Sequence, residues 1–554
     1  MEYYYYLTRS CVFVNIVISS MWIKRNISVQ KFKKGTRVFQ STLLVESVRE
    51  GKKVKHKTLL NLSSWLPEKV DAFDKFLKGK QLHSLEEVTT VSGKAIGAVS
   101  VFTQLAQEVG ISQAIDAAWL PKILFLIIGR ILTQGSRLHL LEWGQTEEIE
   151  EILGINPEKL TTDDLYATLD YLALHQEEIE QKLFTARCQE KGETPRIYLY
   201  DVTSSYLEGE QNELAAYGYN RDKKQGKKQI VIGLLTDEEG YPIAVRAFVG
   251  NTPDPKTVPM QIKKLAEKFG VTEVIFIGDK GMIKTSQIAD LTEKQYHYIT
   301  TITKPQIQSL ITQGILQLSL FDDTLGEVVD TEKNLRYVYR KNPIRAQEMQ
   351  VSREQKQKKI DSLITKTNTY LKEHPKAKAE TAYTNLQKAQ KNYHCDYLTL
   401  TQTGRTFALT IDQEALIQAQ SFDGCFVMKT DCMDKDLTKQ TIHDRYKDLK
   451  HVEAAFKTIK TGFLEIRPIF VRKESRTRGH IFVTMLAYLL IHEFQKRTKT
   501  IQATLAHKVD ALDKVQTVEL TLAEHRIKRI PQQPLFIHQL LTACSLTLPL
   551  YCST

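Results

Sequence analysis

The chain has 554 residues, 42% of them hydrophobic and 25% charged, which is ordinary for a globular protein but too long for one small core, so three or four structural units are expected. The 76 Lys and Arg against 65 Asp and Glu leave a net charge of +11, an excess so modest that only its clustering can point to an acidic partner. Seven cysteines (Cys11, Cys188, Cys395, Cys425, Cys432, Cys544 and Cys552) have no CxxC spacing. An odd, scattered set argues against a disulfide scaffold and a zinc site, and for a reducing, cytoplasmic setting.

Residues 1–20 carry an apolar run after Arg9 with no small-residue cleavage site behind it, and Met21 opens a basic stretch. They read as an extended or misplaced start rather than a secretory signal. Residues 21–66 alternate short β-like runs, TRVFQSTLLVESV and KHKTLLNL, with the turn EGKK. Eleven lysines and arginines from Lys24 to Lys57 fit equally a solvated hairpin and an arm that contacts DNA.

Residues 67–192 turn helical, with apolar residues three and four apart in AIGAVSVFTQLAQEV, PKILFLIIGRILTQ and DDLYATLDYLALHQEEIEQKLF. Thr162 is the expected cap of the last of these. The runs Ile123–Ile131 and Ile481–Ile491 are too short for a bilayer, which needs about 20 residues, and read as buried helices.

Residues 193–329 hold the first part of the expected catalytic core. The strand RIYLYDVT ends on Asp201, two strands follow across the turn EEG, then a helix, the strand EVIFIGDKG ending on Asp279, a helix and the strand YHYITTI. That order is the element order of a ribonuclease H-like fold, a mixed five-stranded sheet with helices, in which the first and fourth strands are neighbours and acids at their ends converge. Residues 330–420 read as an insertion: a helical hairpin broken at Pro375, then the short strands DYLTLTQ and TFALTID. The core resumes over 421–495. Thr441 and Asp444 have the form of a capping box, Val452, Ala455, Phe456 and Ile459 form a buried stripe, and Tyr446, Glu453 and Lys460 recur every seven residues on another face of the same helix, which Pro468 ends. Residues 496–554 read as a basic, helical tail.

Single acids are weak evidence, since most solvate a surface, but Asp201 and Asp279 each stand where an apolar strand leaves a core. Clustered carboxylates repel one another unless a cation sits among them. Phosphodiester cleavage and strand transfer are served by two divalent ions about 3.5–4 Å apart, on the attacking and leaving oxygens. Mg²⁺ prefers hard oxygen donors and keeps several waters.

The motifs YDVTSSYLEG, YGYNRDKKQGKKQIVIGL, GYPIAVRAFVGNTPDPKT, VIFIGDKGM, FDGCFVMKT and YKDLKHVEAAFKTIK, with IRPIFVRKESRTRGHIFVTMLAYLL behind them, together resemble the DDE transposases of the IS4-like group, in its IS1634-type branch. The likeness covers roughly residues 195–300 and 420–495, and the basic N-terminal stretch is similar to that branch too. It implies an α/β protein with a ribonuclease H-like core and a metal-dependent activity that cleaves and joins DNA at terminal inverted repeats. Asp201, Asp279 and Glu453 would be its catalytic and metal-holding acids, with two Mg²⁺ (Mn²⁺ as a substitute) and a homodimer on double-stranded DNA. The family's last motif has Tyr, Arg, Glu and Lys at positions matching Tyr446, Leu449, Glu453 and Lys460. Leu449 departs from it, and Lys450 or Lys457 is the expected substitute contact to phosphate. Tyr446 and Lys460 are expected at the DNA backbone; Lys223, Lys224, Lys227 and Lys228 fit a phosphate clamp and a solvated loop about equally. Two rivals are a transposase-derived DNA-binding protein without turnover and a haloacid-dehalogenase-like phosphohydrolase. The second needs an acid two residues after Asp201, where Thr203 stands.

Overall fold

The computed structural model describes residues 20–32, 35–80, 89–219, 221–393, 395–434, 437–460, 463–467, 469–522 and 525–548. The expected extended start (residues 1–19 of it) lies outside the described residues, and the helix expected to run to Pro468 ends at Lys460. The chain forms two compact units, one from residues up to Gly93 with Thr517–Pro531, the other from Lys94–Gln516 with Gln532–Pro549.

In the first unit, β1 (Met21–Phe32), β2 (Gly35–Glu50) and β3 (Lys53–Asn61) form an antiparallel sheet in that order, one strand more than the expected hairpin. Its core is small: Leu44 and Leu62 meet Val70 and Leu77 of the helix Pro67–Leu77, while Ile27, Val29, Val38 and Phe39 are exposed. β4 (Thr89–Ala95) lies in a second sheet with β15 (Gln516–Leu522) and β16 (His525–Arg529). The expected helical segments 67–192 and 496–554 therefore each contain strand; Thr517, Val518, Leu520 and Ile527 bring β-branched and apolar residues at strand spacing to the second of them.

The second unit is built on one mixed sheet of eight strands, not five. Its order is β10-β11-β14-β9-β8-β5-β6-β7, with β5 as Ile197–Tyr206, β6 as Gln229–Asp237, β7 as Pro242–Val249, β8 as Ile275–Ile277, β9 as His297–Thr301, β10 as Gly326–Asp330, β11 as Leu335–Lys341 and β14 as Cys425–Thr430. β8 pairs in parallel with β5 and β9, and every other neighbour is antiparallel. Of the three extra strands, β10 and β14 stand at the two ends of the expected insertion, but β11 falls inside its 330–420 bounds with Tyr337, Val338 and Tyr339 buried, so the insertion proper starts after Lys341. The insertion itself holds a separate core. Ile360, Ile364 and Leu371 of the helix Pro343–Glu373 and Leu386 of the helix Ala379–Tyr393 pack on Leu398 of β12 (Leu398–Thr403) and Phe407 of β13 (Thr406–Ile411).

Helices cover the sheet. Every residue of β6 is buried, and the edge strand β7 is closed by side chains of the helix Thr162–Lys191: Gln176 Nε2 donates to Val245 O at 2.7 Å, and Val245 N donates to Glu180 Oε1 at 3.1 Å. An exposed edge would invite pairing with another chain. That helix is capped by Thr161 rather than Thr162, in a capping box with Asp164. The reciprocal bonds need the residue three before Asp164, and Thr161 holds that place.

The helix Glu474–Arg497 is buried from Gly479 through Ile491 and packs on Thr162–Lys191, on Leu120–Leu132 and on β7. Both apolar runs are thus buried helices, and among the described residues no single helix is long and apolar enough to cross a membrane. A Cβ at Gly479 would stand 2.1 Å from the carbonyl oxygen of Leu169, backbone that has no rotamer to yield. Gly479→Ala is therefore expected to force the two helices apart and destabilise the second unit by about 1–3 kcal/mol, read as a lower urea midpoint with native-like circular dichroism before the transition. An unchanged midpoint would refute the close crossing.

Candidate active site

β5 and β8 run parallel, with Ile197 beside Ile275, Tyr198 beside Phe276 and Leu199 beside Ile277. Asp201 and Asp279 each stand two residues further on, so this register sets them abreast. It is firmly specified, because Tyr198 and Tyr200 on the other face of β5 are fully buried and a slip of one residue would exchange them for Asp201. Gly233 of β6 lets Tyr200 lie flat across it, since a Cβ there would meet the Tyr200 hydroxyl at 2.2 Å. The amide of the next residue holds one oxygen of each acid: Val202 N donates to Asp201 Oδ1 at 2.8 Å, and Lys280 N to Asp279 Oδ1 at 2.7 Å.

Glu453 arrives on a different element. The single helix expected through Tyr446, Glu453 and Lys460 is two helices, Lys439–Lys447 and Leu449–Lys460, meeting at Asp448. Thr438, not Thr441, caps the first, accepting from Thr441 N, and Asp444 instead accepts from Gln440 Nε2. Val452, Ala455, Phe456 and Ile459 are buried as expected, and the second helix packs on β5 and β6. Its far end is tied by Lys460 Nζ donating to Thr203 Oγ1 at 3.0 Å. Before the break, Tyr446 OH donates to Asp279 Oδ1 at 3.3 Å and lies 3.0 Å from Thr301 Oγ1. Tyr446 and Lys460 thus bracket Glu453 and touch the neighbourhoods of the two aspartates.

The acids feel one another. Burial, then the charges of Glu453 and Asp279, push the Asp201 carboxyl up to about 7, against the pull of the Val202 amide and Arg221. Burial and the same two acids keep the Tyr446 phenol protonated, at about 12. Among the described residues, however, no three His, Cys, Asp or Glu side chains are drawn together tightly enough to hold a metal ion. The donor set still suits a hard divalent cation: it is all carboxylate, and burial, with the charges of Glu453 and Asp279 adding to it, disfavours the charged Asp201 carboxyl, a cost that a cation would offset.

A fourth acid escaped the sequence reading. The Asp222 side chain is 1% exposed and accepts from Lys460 Nζ at 2.6 Å and Arg467 Nη1 at 2.5 Å. It anchors the lysine that reaches Thr203. Arg221 beside it pairs with Asp254 at 2.6 Å and donates its amide to Ser204 Oγ at 3.1 Å. In sequence both sat inside a lysine-rich loop, and nothing in spacing links Asp222 to Arg467, 245 residues away.

The expected DNA-contacting lysines fall into two sets. Lys450 and Lys457 are exposed, three before and four after Glu453, on its side of the helix. Leu449 is buried, so the position where the family carries Arg faces the core here. In the loop, Lys227 pairs with Glu208 at 2.7 Å, Lys224 lies 5.6 Å from the Tyr206 ring and Lys228 5.9 Å from that of Tyr217. Lys223 is exposed, with a positive φ of 56°.

A family model described as the transposase DDE domain matches residues 192–490, and one described as the N-terminal domain of IS1634 family transposases matches residues 27–90. No curated protein matches the chain. Among solved structures it is similar to a piggyBac transposase synaptic complex with hairpin DNA, at 9% identity and a TM-score of 0.35, over 75% of this chain and 76% of that one.

The raised Asp201 carboxyl makes stability depend on pH. An unfolded aspartate titrates near 4, so between about pH 4 and 7 the folded chain holds a proton that the unfolded chain has lost. Stability from this group is present at low pH and lost as pH rises through that window. Without divalent ions, Asp201→Asn is expected to be more stable than the natural chain at pH 8, by a few kcal/mol at most (~1.4 per pKa unit), and equal to it at pH 4. Urea midpoints at the two pH values check this; equal midpoints at pH 8 would contradict it.

Proposed function

The chain belongs to the DDE transposases of the IS1634 type and is a DNA transposase, and from that premise we propose that it binds the terminal inverted repeats of its insertion sequence, hydrolyses a strand there to free a 3′-hydroxyl, and joins that end to target DNA. The observation that carries the site assignment is the parallel register of β5 and β8, which sets Asp201 beside Asp279 under a helix bearing Glu453 whose flanks are tied at Asp279 and Thr203. The order of β7, β6, β5, β8 and β9 within the larger sheet supports a ribonuclease H-like core.

Domains of this family work with divalent metal ions. In our reading Asp201, Asp279 and Glu453 hold two Mg²⁺, for which Mn²⁺ substitutes, and these would supply charge for the attacking and leaving oxygens of the phosphodiester. The chain's own groups prepare that place. The Val202 and Lys280 amides orient one oxygen of each aspartate. Tyr446 gives Asp279 a neutral donor, leaving its negative charge available to a cation. Lys460, fixed by Asp222, places positive charge near the phosphate without entering the carboxylate group. Lys450 and Lys457 stand where the strand would pass and replace the arginine that Leu449 displaces. Lys223, Lys224, Lys227 and Lys228 form a second, looser contact to the backbone. Pairing two ends calls for a homodimer on double-stranded DNA, acting in the cytoplasm. The phosphohydrolase reading is not favoured, because Thr203 stands where that chemistry needs an acid and the matching family models are those of transposases.

Incubation with inverted-repeat DNA and Mg²⁺ tests this. The natural chain is expected to nick at the repeat ends, and Asp201→Ala, Asp279→Ala and Glu453→Ala each to lower the rate by about 10²–10³-fold or more while still shifting the DNA in a gel. Nicking that survives Glu453→Ala would remove Glu453 from the site. Lys450→Ala with Lys457→Ala is expected to weaken end binding and cleavage; if both are unchanged, the missing arginine has another substitute.

A further inference from the structure

Basic side chains, most of them unused by the chemistry above, gather in one cavity of the second unit. About 510 Å³ in volume, it is lined by Arg130, Arg137, Arg467 and His480, which come from four segments of the chain. Arg130 and His480 are 7% and 5% exposed. Arg137 Nη2 lies 3.2 Å from His480 Nδ1. A guanidinium can only donate, so Nδ1 accepts and His480 is neutral with its proton on Nε2. Burial and the two arginines hold its pKa well below the usual range. Arg130 Nη1 donates to Gln134 O at 3.4 Å, while Arg137 Nε is buried with no hydrogen-bond partner.

Charge in the cavity is unbalanced. Glu465 is the one acid among its described lining residues, and Arg467 is already paired with Asp222. Burial and the neighbouring Arg137 depress Arg130 to about 9. Cations removed from water without a counter-charge are costly to hold, and planar forks of N–H donors match phosphate oxygens two at a time. The volume is too large for an inorganic anion alone. Tyr166 and Phe470 supply flat apolar walls; Phe470 is 70% exposed, and Arg476 lies 4.5 Å over the Tyr166 ring. Positive charge beside accessible aromatic faces is the combination that holds a nucleotide of a strand.

Arg467 connects this cavity to the acids. It lines the cavity and bonds Asp222, which holds Lys460 at Thr203, two residues past Asp201. We propose that the cavity seats one nucleotide of the DNA strand that runs out of the Asp201 site, its phosphate on Arg130 and Arg137 and its base against Phe470. This rests on the transposase reading.

The test measures binding of labelled inverted-repeat DNA across a chloride series, beside Mg²⁺-dependent nicking by the natural chain. Losing one phosphate contact lowers the slope of log K against log salt by about 0.9; Arg137→Gln is expected to do so, and Arg137→Lys to restore most of it. Phe470→Ala, on an exposed side chain that folding does not need, is expected to weaken binding about tenfold with the slope unchanged. If the natural chain nicks but Arg137→Gln keeps its slope, or Phe470→Ala binds as tightly, the cavity assignment is overturned and the transposase reading stands. If the natural chain neither binds nor nicks, both fall. A thymidine monophosphate that raises the melting temperature of the natural chain but not of Arg137→Gln, with DNA slopes equal, would mean a site for free nucleotide and would overturn the strand assignment.

Discussion

The parallel contact between β5 and β8 is the constraint on which the rest of the site depends. It is only three residue pairs long, yet it alone brings two acids 78 positions apart in sequence to one edge of the sheet. Tyr198, Tyr200 and Phe276 are fully buried, and that buried aromatic area fixes the register far more firmly than three backbone pairings could. The strand expected to end on Asp201 continues to Tyr206, so Asp201 is a half-buried residue in mid-strand with residues 202–205 buried beyond it, while Asp279 is exposed past the end of β8.

Glu453 is supplied by a less direct route. The break at Asp448 lets the two helices take separate directions, so Tyr446 reaches Asp279 and Thr301 near β9 while Lys460 reaches Thr203 on β5. Straightening through Asp448 would keep the seven-residue face but lose one of these anchors. Asp222 steadies the arrangement from below. A buried carboxylate bridging Lys460 and Arg467 is a weak source of stability in itself, but it fixes a long, flexible lysine in one place beside the acids. The same aspartate bonds Lys460 of the acid site and Arg467 of the arginine-lined cavity.

The insertion has its own core. Asn368 donates to Phe407 O at 2.8 Å and accepts from Phe407 N at 2.9 Å, standing in for a neighbouring strand along β13. A segment that satisfies its own backbone groups and buries its own Ile360, Leu386 and Phe407 can be placed between β11 and β14 without disturbing their pairing.

Local pattern by itself determined a good deal. The alternation in RIYLYDVT, the three-and-four spacing of Val452, Ala455, Phe456 and Ile459, the buried runs from Ile123 and Ile481, and the motif order that identifies the family are all short-range, because strand and helix periods write themselves into neighbouring residues. Boundaries were less legible. Thr161 and Thr438 outcompete Thr162 and Thr441 as caps because the cap depends on where the first turn is held, and the break at Asp448 leaves the apolar stripe intact. Only the tertiary structure decided that three strands flanking the insertion extend the sheet to eight, that Leu449 turns inward, and that Asp222, Arg221 and Arg467 serve the site. Those outcomes depend on partners hundreds of residues away, and a charged residue in a lysine-rich loop looks the same in sequence whether it faces water or a buried cation.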